Sequence, residues 1–128
     1  MSRGLADTSV FVARESGRPL DEGRLPLEFA VSVVTVGELR AGVLAATDVV
    51  TRNRRLVTLT EMLTLEAMPV DERVAEEWAR LRVLLRERGQ RMPVNDSWIA
   101  ATAMALHVPV VTQDDDFDEI PEVAVIRV

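Results

Sequence analysis

The chain has 128 residues, 48% of them hydrophobic, with 15 basic and 21 acidic side chains and no cysteine. That size and apolarity suit one globular domain spanning residues 1–128 and exclude a disordered chain. The lack of cysteine excludes a disulfide framework and thiolate-bound zinc. No apolar run reaches membrane-spanning length, and Asp7 interrupts the stretch where a signal peptide needs its apolar segment, so a cytoplasmic protein without membrane association is expected.

The net charge of −6 is local. Asp114 to Glu122 holds six acids and no base, and the remainder balances at fifteen against fifteen. Overall acidity is therefore no argument against a nucleic-acid partner. Every basic residue is arginine, which in a chain this rich in Ala, Val and Leu reads as compositional bias.

In chain order, Gly4 to Phe11 is strand-like and broken by Asp7-Thr8-Ser9, with Asp7 where a strand hands over to a helix. A carboxylate in such a run is costly to bury unless something pairs with it. Arg14 to Pro26, rich in Gly, Pro and charge, reads as a loop. Phe29 to Val34 is continuously apolar and fits a strand buried on both faces. Thr35 and Glu38 match a capping box opening the next helix. Asp48 to Thr64 is helical and carries Arg52, Arg54 and Arg55. Leu65 to Val70 is a short strand. Asp71 caps the longest helix, which runs to Arg88 with Gly89 as its stop and Val74, Trp78, Leu81 and Leu85 as its core stripe. A small-residued helix follows from Asp96 to His107, with Asn95 or Asp96 suited to cap it. Pro109 to Thr112 and Val123 to Val128 are strands flanking the acidic turn from Gln113 to Phe117. Strands alternating with helices indicate an α/β fold with a mostly parallel sheet and helices on both faces.

In such a sheet, sites lie beyond the carboxyl ends of the strands. Asp7, Glu38, Asp96 and Asp114 all fall at strand-to-helix transitions on that side. Each alone has an ordinary reading: a turn residue, a capping-box acid, a helix cap, a solvated acidic loop. Together they repel unless a cation is present, and oxygen ligands without His or Cys suit Mg²⁺ or Mn²⁺. Such an ion typically serves phosphate chemistry.

Leu5-Ala6-Asp7-Thr8-Ser9-Val10, Val33 to Gly42 (VVTVGELRAG), Asn95 to Ala103 (NDSWIAATA) and Val111-Thr112-Gln113-Asp114 resemble the ordered motifs of the PIN-domain family, most closely its VapC-like toxin branch. The resemblance spans essentially the whole chain. It implies a three-layer sandwich around a sheet of four to five strands. It also implies a magnesium-dependent endoribonuclease, the toxin of a bacterial toxin–antitoxin pair, acting on structured RNA such as tRNA or rRNA. A homodimer held inactive by a cognate VapB-like antitoxin is implied as well. On this resemblance Asp7 and Asp96 are the direct metal ligands. Glu38 and Asp114 complete the acids, with Asp115 or Asp116 able to stand in for Asp114. Thr8, Ser9 and Thr112 would orient carboxylates or waters. Arg52, Arg54, Arg55, Arg88 and Arg91 are the candidates for steering RNA, and the helices over 48–64 and 71–88 for a partner groove involving Val49, Val50, Val57 and Met62. The alternative is a PIN-like module that binds RNA or protein without cutting.

Other acid-bearing or hydrolytic classes lack their parts. A phosphoacceptor domain needs a lysine, and the chain has none; a serine hydrolase needs G-x-S-x-G and a partner histidine, and His107 ends a helix. Neither a P-loop nor a G-x-G-x-x-G is present.

Overall fold

The sheet is built outward from Arg3–Ala6 (β1), which pairs in parallel with Glu28–Ser32 (β2) on one side and Val110–Thr112 (β4) on the other. Glu66–Met68 (β3) and Val125–Arg127 (β5) form the two edges, also in parallel, giving the order β3-β2-β1-β4-β5. The computed structural model describes residues 2–128. Strand order reverses between β1 and β4, so a crevice opens there at the carboxyl ends.

Helices cover both faces because side chains alternate across a strand. Leu5 joins Leu81, Leu85, Ile99, Ala100, Ala103 and Val110 in a core on one face, beneath Glu72–Glu87 (α4) and Val94–Leu106 (α5). Its neighbour Ala6 points the other way, into Val31, Leu39, Leu59 and Met62, covered by Thr8–Glu15 (α1), Val33–Ala45 (α2) and Val49–Met62 (α3). This is the expected three-layer sandwich.

The long helices start and stop where their sequence signals lie. Asp48 accepts from the Thr51 N–H at 2.8 Å and Asp71 from the Val74 N–H at 3.0 Å, while Gly89 takes φ +65° just past α4. His107 ends α5 in the left-handed region, at φ 57°.

Four local readings need correcting. Residues Thr8 to Phe11 are helical, because α1 starts directly after Asp7 and turns Val10 and Ala13 inward. Val33 and Val34 belong to α2, not to a strand: Ser32 caps that helix, accepting from the Val34 N–H at 3.0 Å. Thr35 is therefore buried inside the first turn, and the capping box is not formed. Finally, α5 begins at Val94 with Pro93 in the cap position, so neither Asn95 nor Asp96 caps it. Proline fixes the backbone angle on entry, and the Asp96 carboxylate is left for other contacts.

The acidic turn is anchored rather than loose. Phe117 is fully buried, and Ile120 and Val123 join it in the core with α4 and α5. That burial, about 1.5–3 kcal/mol for a side chain of this size, ties the acids on either side of Phe117 to the sheet. Among the described residues no helix is long and apolar enough to cross a membrane.

Candidate active site

Asp7 leaves β1 into the switch-point crevice and is buried. It occupies the cap position of α1, yet its side chain makes no capping bond. Instead its Oδ2 accepts from Ser9 Oγ at 2.8 Å and from Thr112 Oγ1 at 3.0 Å. Each hydroxyl also accepts a backbone N–H, Gln113 to Ser9 Oγ and Asp114 to Thr112 Oγ1, both at 3.0 Å. The single proton of each hydroxyl thus goes to Asp7 and the lone pairs fix the chain beyond β4. Burial still wins over these bonds and raises the Asp7 carboxyl above its ordinary value.

Glu38 comes from the second turn of α2. Thr8 Oγ1 donates to its Oε1 at 2.7 Å and lies 3.0 Å from the buried Thr35 Oγ1. Asn95 Nδ2 donates to its Oε2 at 3.4 Å. Thr8 thus holds Glu38, and Ser9 holds Asp7.

Asp96 faces this pair from the first turn of α5. Its pKa is pushed up to about 7, first by burial, then by the charges of Asp7 and Asp116, a hydrogen bond with Asp116, and Glu38. Asp114 is raised as well, by burial and by Asp7 and Asp116, against the opposing pull of Arg18 and Arg127. Asp7, Glu38, Asp96, Asp114 and Asp116 therefore form one electrostatic cluster. Asp115 is exposed and acts on none of the shifted groups.

Trp78 Nε1 donates to Ser97 Oγ at 3.0 Å, and Ser97 donates to the Val94 carbonyl at 2.5 Å, which pins the uncapped first turn carrying Asp96. The Trp78 and Trp98 rings stack at 4.3 Å. From the sequence Trp78 has only a core role, Thr35 and Asn95 only capping roles, and Gln113 none.

Among the described residues no three acid or histidine side chains already close into a metal cage. The donor set is nevertheless hard oxygen only; burial raises Asp7, Asp96 and Asp114, and neighbouring acids add to the rise at Asp96 and Asp114. Mg²⁺ takes one or two carboxylates and keeps several waters, so an open set of this kind suits it.

Most of the arginine candidates are engaged elsewhere. Arg52 donates to the Ala46 carbonyl at 2.9 Å and Arg55 to that of Gly42 at 2.7 Å, while Arg88 forks onto Glu122 at 2.9 and 2.7 Å. Arg54 lines an apolar cleft of about 760 Å³ between α1 and α3, with Val10, Phe11, Phe29 and Val57. The apolar cleft along α3 is shared with α1, not with α4 as the expected groove was. Met62 is its buried floor, and Val49 and Val50 lie exposed outside it.

A parallel α/β sandwich with carboxylates gathered at its switch point defines a class of small acid-site domains. The sequence model of the PIN domain matches residues 5–123, and the chain belongs to that family, in its VapC-like branch. It is 52% identical over 128 residues to Ribonuclease VapC5 of Mycobacterium tuberculosis, covering 98% of this chain and 95% of the relative. To Ribonuclease VapC4 of the same organism it is 46% identical over 126 residues, covering 98% and 97%. The crystal structure of VapBC-5, a member of the VapBC family of toxin–antitoxin systems from Mycobacterium tuberculosis, superposes with a TM-score of 0.92 at 46% identity over 100% of both chains.

Proposed function

We propose that this chain is the toxin of a toxin–antitoxin pair: a cytoplasmic, Mg²⁺- or Mn²⁺-dependent endoribonuclease neutralised by a cognate VapB-like antitoxin. The observation that carries the reading is the carboxylate cluster of Asp7, Glu38, Asp96, Asp114 and Asp116 held at the switch point, with the pKa values of Asp7, Asp96 and Asp114 raised. Gathering like charges costs folding free energy, and a bound cation offsets it. The similarity to ribonucleases supports the activity, and the similarity to a member of the VapBC family of toxin–antitoxin systems supports the partner.

Asp7 and Asp96 would hold the cation, with Glu38 and Asp114 beside them. When bound, it would supply a Lewis acid for an attacking water and a departing oxygen. The chain's own residues set the geometry. Ser9 and Thr112 fix Asp7, Thr8 and Asn95 fix Glu38, and the raised pKa of Asp96 sets a proton against the cation at its carboxylate. Structured RNA such as tRNA or rRNA is the proposed substrate. A homodimer of single-domain chains is the proposed assembly, and the apolar cleft between α1 and α3 the place where an antitoxin segment docks.

The test compares the protein with Asp96→Asn, purified in parallel. RNA cleavage is expected with Mg²⁺, to be lost in EDTA, and to fall on the order of a hundredfold or more in the variant. Equal cleavage by wild type and variant would sink the reading.

A further inference from the structure

A basic groove of about 650 Å³ lies beside the acids rather than among them, and Arg82, Arg86 and Arg91 line it without any acidic residue in its walls. Arg82 and Arg86 are one helical turn apart on α4, so they share a face. Arg91 reaches the groove from beyond the Gly89 turn. Among the described residues, none of the three lies within 4 Å of a carboxylate, unlike Arg88 on Glu122 or Arg127 on Asp118.

The groove is held in shape. Gln90 Nε2 donates to the Glu119 carbonyl at 3.0 Å, the Gln90 N–H to that of Leu85 at 2.9 Å, and Leu85 and Met92 are buried beneath. The Arg82 guanidinium sits 5.7 Å over the Trp78 ring. Three unpaired like charges on a fixed frame repel, and a polyanion relieves that repulsion. Val94, two residues before Asp96, is part of the groove wall. There the first-turn N–H groups of α5 have no side-chain cap and present the positive helix end.

We propose that this groove holds the phosphodiester backbone of the RNA strand leading to the acid site, a proposal that rests on the ribonuclease reading. A second copy of the chain is a poorer occupant. An isologous contact would set three guanidiniums against three more.

The test is fluorescence anisotropy of labelled single-stranded oligouridine, in EDTA to prevent cleavage and over a series of salt concentrations. Wild type is compared with Arg86→Ala/Arg91→Ala and Arg86→Lys/Arg91→Lys. The alanine pair should weaken binding about tenfold and flatten the slope of log K against log salt by about 1.4, which is about 0.7 for each phosphate no longer neutralised. The lysine pair, which keeps the charge, should hold the wild-type slope. Both variants change exposed side chains, and unchanged thermal melts check that they fold. Wild-type affinity and slope in the alanine pair would overturn the proposal. So would a sedimentation result in which that pair loses self-association while RNA affinity stays the same, which would assign the groove to a second copy. RNA binding that depends on the arginines, without any Mg²⁺-dependent cleavage by wild type, would instead remove the nuclease reading and leave the groove standing.

Discussion

Thr112 shows how much one hydroxyl does at this site. It donates to Asp7 Oδ2 and accepts the Asp114 N–H, both at 3.0 Å, from a fully buried position. Thr112→Val keeps the shape and removes both bonds. The Asp7 carboxyl, already raised by burial, loses one of the bonds that lower it and rises further. Urea unfolding should show a loss of about 1–3 kcal/mol, the cost of leaving buried polar groups unpaired. Cleavage should fall about 10- to 100-fold, as for other groups that orient metal-binding carboxylates. Unchanged cleavage would show that Asp7 needs no help in facing the crevice. Thr112, Ser9 and Thr8 were legible because they sit within ordered motifs. Thr35 was not, since a threonine three residues before a glutamate also fits a capping box. Asp116 was legible only as a stand-in for Asp114, because its hydrogen bond with Asp96 depends on the path of the turn around Phe117.

At the scale of elements, β1 and β4 meet so closely that a side chain on Gly4 has no room. A Cβ there would lie 2.5 Å from Val111 Cγ2 and 3.0 Å from Pro26 Cγ. Gly4→Ala should therefore cost about 1–3 kcal/mol, because β4 must shift to admit it. Since β4 leads to Asp114, thermal melts and RNA cleavage should decline together; a stable but inactive variant would place the effect on the site alone. The helices from Asp48 and Asp71 were legible end to end, since caps, stop and apolar stripe agree. The boundaries near the site were not. Val33 and Val34 suit a strand by composition, and only the Ser32 cap turns them into helix. A short apolar run has no period long enough to decide between the two. The parallel sheet and its loaded carboxyl edge were legible from alternation alone, but the strand order that brings Asp7 beside Asp114 was not.

For the whole molecule, the acid cluster couples stability to pH and to cations. The ordinary Asp96 carboxyl titrates at 3.8, and in the folded protein it is pushed up to about 7. Between those values the folded state holds the extra proton, so cation-free stability falls as pH rises through the window. Asp7 and Asp114, also raised, act in the same direction. Thermal melts should show the cation-free protein less stable at pH 8 than at pH 6. Mn²⁺ should raise the midpoint more at pH 8, because at pH 6 it must displace a proton. For Asp96 the effect is on the order of 1 kcal/mol once its partial exposure is allowed for, or a few degrees. Asp96→Asn should flatten this slope, and a midpoint indifferent to Mn²⁺ at pH 8 would refute the coupling. The acids themselves come from the end of β1, from α2, from α5 and from the turn after β4, and lie between positions 7 and 116 of the 128. A growing chain that has not yet reached β4 lacks Asp114 and Asp116, so on the proposed function cleavage would wait until most of these positions are made.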